Sequence, residues 1–460
     1  MTTRPGVSII VPCHDAADFL TETLRSIQAQ TFVDWEAVCV DDGSTDGTAD
    51  LLGQAAASDP RIRPVHTAHV GAGTARNLGV RHAKAERVLF FDSDDLLHSF
   101  AIEMLMRMAD TRAPQCMVTG GYELLDRRGR PLSLFRFPRG GRMSLDDQLR
   151  GNTTTVVALF RKDYLGPDPF DTSLRACIDE GLWLDLASRN TDCCVLPRVI
   201  FGRRLRCGSI AHHADNRFAA GCRLYAQWLP KVRDRDAFSD RMHRFAFFCG
   251  ALAFAGGRPE ALDTYLSAIP PAELRADFNA AAAGSLLWAF LFTYGTDGHT
   301  WQTHARSWTA DIETWLEAGP LEEHAARVLA ALEDAVDADH EPVRRVDALF
   351  AQRPDARRVV IYGLGTNGRT LLEHLRRTLR PGVPNLAVAD DHASELTFDL
   401  LGLPREDPRQ WRQWPANTLV LVTPNDSRAM VDRLLQADGR PDHDFIDVAT
   451  AACRREPATC

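Results

Sequence analysis

Three times in the first ninety residues, a short aliphatic and β-branched run gives way to a stretch whose apolar side chains recur at helical spacing, and a fourth run follows. Val7 to Val11 reads as a buried strand, and Asp18 to Gln30 places Phe19, Leu20, Leu24 and Ile27 on one helical face. Trp35 to Val40, Arg61 to His66 and Arg87 to Phe91 read as further strands, with helices over Thr45 to Ala57 and Ala72 to Ala83 between them. Short β-rich runs alternating with amphipathic helical stretches are the signature of a parallel α/β sheet. The chain is therefore expected to begin as an α/β domain. Two polar clusters, Asp41-Asp42-Gly43-Ser44 and Asp92-Ser93-Asp94-Asp95, fall at the C-terminal ends of strands, where open α/β sheets bind ligands.

At 460 residues the chain exceeds what one hydrophobic core normally fills, so several domains are expected. Lys+Arg 53 against Asp+Glu 62 leaves a net charge of -9, which argues against nucleic acid as a partner. Only Lys84, Lys162 and Lys231 are lysines, and the arginines are scattered without a basic run. Eleven cysteines without a Cys-x-x-Cys pair argue against a disulfide framework or a zinc ribbon and fit a cytoplasmic protein. The apolar start is cut short by Pro12, so no signal peptide is expected. Phe278 to Thr296 is uncharged but rich in Ala, Gly, Ser, Thr and Asn, which suits a buried or interfacial helix rather than a membrane span.

The acidic cluster at Asp92, Asp94 and Asp95 follows the apolar Val88 to Phe91, so a buried strand delivers carboxylates into a crevice. Carboxylates that close raise one another's pKa unless donors or a hard cation neutralise them, and a divalent ion with a diphosphate is an economical solution. An equally ordinary reading is a solvated turn that caps a helix. Ser44, Thr45 and Asp46 suit a turn and an N-cap, whereas Asp41 and Asp42 need another reason to lie at the sheet rim.

These two clusters, with VSIIVPCHD at 7–15 and GAGTARNLG at 71–79, resemble the family 2 glycosyltransferases of the GT-A fold in order, spacing and strand-end placement, over roughly the first 215 residues. The resemblance implies an inverting, metal-dependent transfer of a sugar from a UDP-sugar to an acceptor hydroxyl. It implies that Asp42 meets the uracil with Pro12 lining the base, and that Asp41, Arg76, Asp92 and Ser93 help hold the nucleotide-sugar. Asp94, with Asp92, would ligate Mn or Mg at the diphosphate, and Asp95 would assist. The family's catalytic base precedes a Leu-Trp-Leu helix, and here the matching stretch is Ile178-Asp179-Glu180-Gly181-Leu182-Trp183-Leu184. Asp179 falls on the base position; Ile178 replaces the usual Glu, so Glu180 stays a second candidate. Arg206 to His212 bears a fainter likeness to a loop that closes over the nucleotide.

Beyond Phe218, Ala- and Leu-rich helical spacing predominates, and after Arg353-Pro354 the β/α alternation resumes. The expected division is a GT-A nucleotide-sugar-binding domain at 1–217, an α-helical domain at 218–352, a Rossmann-like α/β domain at 353–452 and a tail at 453–460. In the third, Gly363, Gly365 and Gly368 form a Gly-x-Gly-x-x-Gly turn after a strand, with Asp390 after the next, a pattern that suits a dinucleotide pyrophosphate. NAD(P) is the cofactor that turn would take, but no hydride-transfer residue accompanies it, and a structural or docking role is favoured. A sugar nucleotidylyltransferase is the nearest rival enzyme, although its glycine-rich loop should follow the first strand rather than the third. A non-catalytic sugar-nucleotide-binding assembly protein is the rival of another class. The expected setting is bacterial polysaccharide, glycolipid or natural-product biosynthesis in the cytoplasm, with peripheral contact at the inner membrane face and an acceptor the sequence does not name.

Overall fold

A computed structural model describes residues 4–136, 140–150, 157–205, 213–232, 234–269, 278–294, 309–319 and 321–338, and, further on, 358–362, 371–373, 375, 385–389, 405–406, 418–422 and 444–447. The chain forms two compact units. The first comprises Met1–Leu132, Pro138–Leu196 and Ile200–Val336; the second comprises Asp337–Cys460 with the short strips Ser133–Phe137 and Pro197–Val199.

The first unit opens with β1 (Val7–Cys13), α1 (Ala17–Gln28), β2 (Trp35–Asp42), α2 (Thr48–Ser58), β3 (Ile62–Thr67), α3 (Ala72–His82) and β4 (Arg87–Phe90), the alternation expected from the sequence. β1 pairs in parallel with both β2 and β4, and β2 with β3. Ile9, Ile10, Val38 and Val40 are fully buried, so β1 and β2 carry mostly apolar side chains between helices on both faces. Then come β5 (Leu96–Leu97), α4 (Ala101–Asp110), β6 (Met117–Leu125), β7 (Pro131–Arg136), β8 (Gly141–Arg142), α5 (Leu145–Arg150), β9 (Ala158–Arg161), α6 (Lys162–Leu165), α7 (Ile178–Ser188) and β10 (Asp192–Arg204). They extend the sheet to the order β3-β2-β1-β4-β9-β6-β10-β5, with β9 antiparallel to both β4 and β6 and β10 antiparallel to β5. The unit is completed by α8 (Ala214–Trp228), α9 (Arg235–Ala255), α10 (Ala261–Ser267), α11 (Phe278–Tyr294), α12 (Thr309–Glu317) and α13 (Ala325–Ala338). The uncharged α11 buries Phe278, Ala282, Ala283, Leu286 and Leu287, and no described helix is long and apolar enough to cross a membrane.

Close packing of α3 on β1 depends on Gly79, where a Cβ would lie 2.2 Å from Ile10 Cγ2. Ile10 is fully buried and branched at Cβ, so it cannot swing aside. Gly79→Ala is expected to cost about 1–3 kcal/mol by overpacking, measured as a lowered urea midpoint. An unchanged midpoint would show that the α3–β1 interface has slack.

In the second unit the strands are β11 (Arg358–Tyr362), β12 (Asn385–Ala389), β13 (Arg405–Glu406), β14 (Thr418–Val422) and β15 (Asp444–Asp447). All pair in parallel in the order β13-β12-β11-β14-β15, so the strand order reverses across β11 and β14. Gly363, Gly365, Gly368 and Asp390 lie outside the described residues.

Candidate active site

The parallel strands end together, and their ends carry Pro12 and Cys13 from β1, Asp41 and Asp42 from β2, and the acidic turn after β4. That turn is held from behind by α1. Thr23, fully buried, places its Oγ1 2.9 Å from the carbonyl oxygens of both Ser93 and Asp95, and Ser26 Oγ accepts the Leu97 N–H at 3.0 Å. A helix whose outer face is polar thus spends two hydroxyls on fixing the strand-end loop. Pro12, Asp42, Arg76, Asp92, Ser93, Asp94, Asp95, Asp179 and Glu180 line one cavity of about 900 Å³. Asp41 does not line it.

Asp41 instead closes the turn. Its Oδ1 accepts the Ser44 N–H at 3.1 Å and its Oδ2 lies 3.1 Å from His66 Nδ1. Burial pushes its pKa up, but the hydrogen bonds from Ser44 and His66 outweigh it and hold the carboxyl below its usual value. Gly43, at φ +68, turns the chain where a Cβ would meet His69 N at 2.7 Å. The turn delays α2 to Thr48, three residues later than the sequence pattern suggests. Asp42 is nearly buried and accepts the N–H groups of Val70 at 2.6 Å and Gly71 at 2.9 Å, which fixes the loop entering α3. His14 and His69 stand over it with ring centroids 4.3 Å apart, and both line the cavity.

Deeper in, Asp92, Asp94 and Asp95 bring a carboxylate oxygen each to within 4.8 Å of one another. Burial raises the Asp95 pKa well above its usual value, and the charges of Asp94 and Asp92 add to it. Its Oδ1 accepts the Arg204 N–H at 2.9 Å. Crowded carboxylates with this surplus of negative charge fit a hard divalent cation, which prefers oxygen ligands. Arg76, buried on α3, donates to Asp92 at 2.7 Å and meets Asp179 Oδ1 at 3.3 Å with its other terminal nitrogen. One guanidinium therefore ties the acidic turn to the start of α7.

Asp179 sits in the first turn of α7, preceded by Cys177 in the left-handed region at φ 54, a conformation that costs a non-glycine residue about 1–3 kcal/mol. Its side chain is 40% exposed, but its Oδ1 is buried and has no hydrogen-bond partner among the described residues. Burial pushes the Asp179 pKa up; Arg76 pulls it back and Asp92 pushes it up again, leaving it raised. Glu180 differs in its hydrogen-bond partners and in the direction of its shift. Its Oε1 accepts hydrogen bonds from Tyr225 at 2.6 Å and Arg241 at 2.8 Å. Burial would raise its pKa, but Arg241, Arg217 and Tyr225 hold it below its usual value.

Arg206 to His212 lie outside the described residues. The structure adds cavity residues that sequence reasoning did not single out, among them His14, His69, Arg175, Arg203 and Arg217. A histidine directly after Pro12-Cys13 was a usable signal; the arginines, three among many, gave none.

The family model described as glycosyl transferase family 2 matches residues 8–166. The chain is similar to the putative teichuronic acid biosynthesis glycosyltransferase TuaG of Bacillus subtilis (strain 168), 37% identical over 189 residues, which is 40% of this chain and 73% of TuaG. It is 34% identical over 119 residues to the glycosyltransferase YibD of Escherichia coli (strain K12), covering 25% of this chain and only 35% of YibD. Among solved structures, S. aureus TarS 1–349 covers 75% of this chain and 91% of its own, at 16% identity and a TM-score of 0.43.

Proposed function

We propose, since the chain belongs to glycosyl transferase family 2 and is a glycosyltransferase, that it moves a sugar with inversion from a nucleoside diphosphate donor, a UDP-sugar, to an acceptor hydroxyl. The observation that carries this is the single cavity in which Asp179, Arg76 and the carboxylates of Asp92 and Asp94 converge. Asp42 and Pro12 occupy the end that would take the base, with Asp41 shaping the turn beside it, and Ser93 and Arg76 would flank the diphosphate. Asp94 and Asp92 would hold Mn or Mg, which when bound neutralises charge on the departing diphosphate.

In the reaction the acceptor oxygen attacks the anomeric carbon as the bond from that carbon to the diphosphate oxygen breaks. The leaving nucleoside diphosphate keeps the electron pair. Asp179 takes the acceptor's proton, because a hydroxyl is a poor nucleophile until it loses that proton in the transition state. A raised pKa suits the duty, since it brings the carboxylate nearer to operating pH. Glu180 is a poor base by comparison, with its carboxylate already committed to Tyr225 and Arg241.

Bacterial polysaccharide synthesis is the setting we assign, with peripheral membrane contact at the cytoplasmic face. The parallel sheet after Arg353 is assigned to a Rossmann-like structural or docking module rather than to NAD(P) chemistry. The test is release of nucleoside diphosphate from UDP-glucose, UDP-N-acetylglucosamine and GDP-mannose, with and without Mn. Mn-dependent UDP release is expected. Tight donor binding without any release would favour a non-catalytic sugar-nucleotide-binding protein.

A further inference from the structure

We infer that Tyr225 and Arg241, on α8 and α9, act through Glu180 as positioning residues that hold Asp179 at the cavity; this rests on the reading of Asp179 as the base.

Adjacent residues of a helix project about 100° apart. When Glu180 is anchored on one side of the first turn of α7, Asp179 is therefore aimed on another. The anchor is a closed triangle: Tyr225 Oη donates to Glu180 Oε1 at 2.6 Å, Arg241 Nη2 donates to the same oxygen at 2.8 Å, and Arg241 Nε donates to Tyr225 Oη at 3.2 Å. Tyr225 is 1% exposed and Glu180 6%. A carboxylate taken that far from water is costly unless its partners are fixed, and hydrogen-bonded charges in such surroundings strengthen one another. The triangle should thus act as a unit, with little tolerance for a shifted α7.

Two further features set α8 beside the start of α7, and a charge on α8 acts on Glu180. A Cβ at Gly181 would lie at an ordinary contact distance of 3.7 Å from Leu224 Cδ1 on α8 and at a tighter 3.2 Å from Leu174 Cδ1, just before α7. Cys177 Sγ lies 3.7 Å from the Arg217 carbonyl oxygen, just before the helix begins. The charge of Arg217 also helps keep Glu180 ionised. On the far side, Asp179 Oδ1 meets Arg76 at 3.3 Å and has no hydrogen-bond partner among the described residues. Its orientation therefore depends on how α7 is seated. The helices after the sheet thereby brace the element that bears the base. A misplacement of about 1 Å at a reacting group can cost roughly a hundredfold in rate.

The test uses the full chain with Mn and measures nucleoside diphosphate release from the three donors above, in Tyr225→Phe, Arg241→Met, Arg241→Lys and Asp179→Asn, alone and combined. Tyr225→Phe is expected to lower kcat about tenfold, and Arg241→Met more, with KM for the donor changed less than kcat, because Asp42, Asp92 and Asp94 lie on other elements. Arg241→Lys should restore part of the loss. In the Asp179→Asn background the same changes should cost little more, since the group they aim is gone. A role confined to stability would lower the unfolding midpoint and leave kcat of the folded enzyme intact. Turnover by Asp179→Asn at the wild-type rate would defeat the base assignment itself. If Asp179→Asn is slow but Tyr225→Phe and Arg241→Met match wild type, or their losses add in full, the brace is refuted and the base stands. Should the wild type release nothing from any donor, amide exchange still decides: Arg241→Met must speed exchange across Ile178 to Leu184, and unchanged exchange overturns the proposal.

Discussion

Asp179→Asn is expected to transfer sugar at least about a hundredfold more slowly than the wild type while binding the donor as tightly. The substitution keeps the shape but removes the proton acceptor together with its negative charge; losing the acceptor acts on the chemical step. Donor affinity should hold because the residues at the base and diphosphate ends, Asp42 on β2 and Asp92 and Asp94 after β4, lie on other elements. One indirect effect has to be separated. Arg76 sits between Asp92 and Asp179, and losing one of its two carboxylates leaves a buried guanidinium less balanced. Titration of UDP into the variant measures that effect alone, and a weakened affinity there would mean that Arg76 has shifted. Near-wild-type turnover in Asp179→Asn, with Glu180→Gln inactive, would move the base to Glu180.

Much of this site was legible because it lies at the ends of parallel strands. Such strands are buried on both faces, so β1, β2 and β4 stand out as largely apolar runs, and the acidic residues that close β2 and follow β4 lie at the rim. The same logic failed for β6, β9 and β10, whose antiparallel pairings depend on partners far along the chain rather than on a local period. It also left Glu180 ambiguous. Beside a base position an acidic residue looks like a candidate base, and what removes it from the cavity chemistry is Tyr225, 45 residues on, and Arg241, 61 residues on. A tyrosine and an arginine in Ala-rich helices carry no signal of that pairing. Asp41 and Asp42 show a finer limit. The sequence places both at the rim, but strand alternation turns only Asp42 toward the cavity, and Asp41 is taken up by Ser44 and His66.

Metal-assisted UDP binding should vanish in Asp94→Asn. Asp92, Asp94 and Asp95 crowd their oxygens within 4.8 Å; Arg76 is paired with Asp92, Arg204 gives its Nε–H to the Asp94 carbonyl and its backbone N–H to the Asp95 carboxylate, and the charge of Arg203 offsets part of that of Asp95 and Asp92. A UDP diphosphate entering this end of the cavity brings further negative charge. Without a cation, repulsion should keep UDP weak; with Mn, repulsion becomes shared coordination. Losing an outer partner of a metal site costs roughly 10–100-fold in metal affinity, and losing a direct ligand should cost no less. Isothermal titration of UDP against wild type and Asp94→Asn, each with and without Mn, separates the effects. The wild type should gain affinity with Mn and the variant should not. Without Mn the variant should bind UDP slightly better than the wild type, because one repelling charge is gone. That reversal is the sharper part, since a variant damaged in its fold would lose affinity under both conditions. A Mn-dependent gain that survives in Asp94→Asn would show that the cation, if one binds, is held elsewhere.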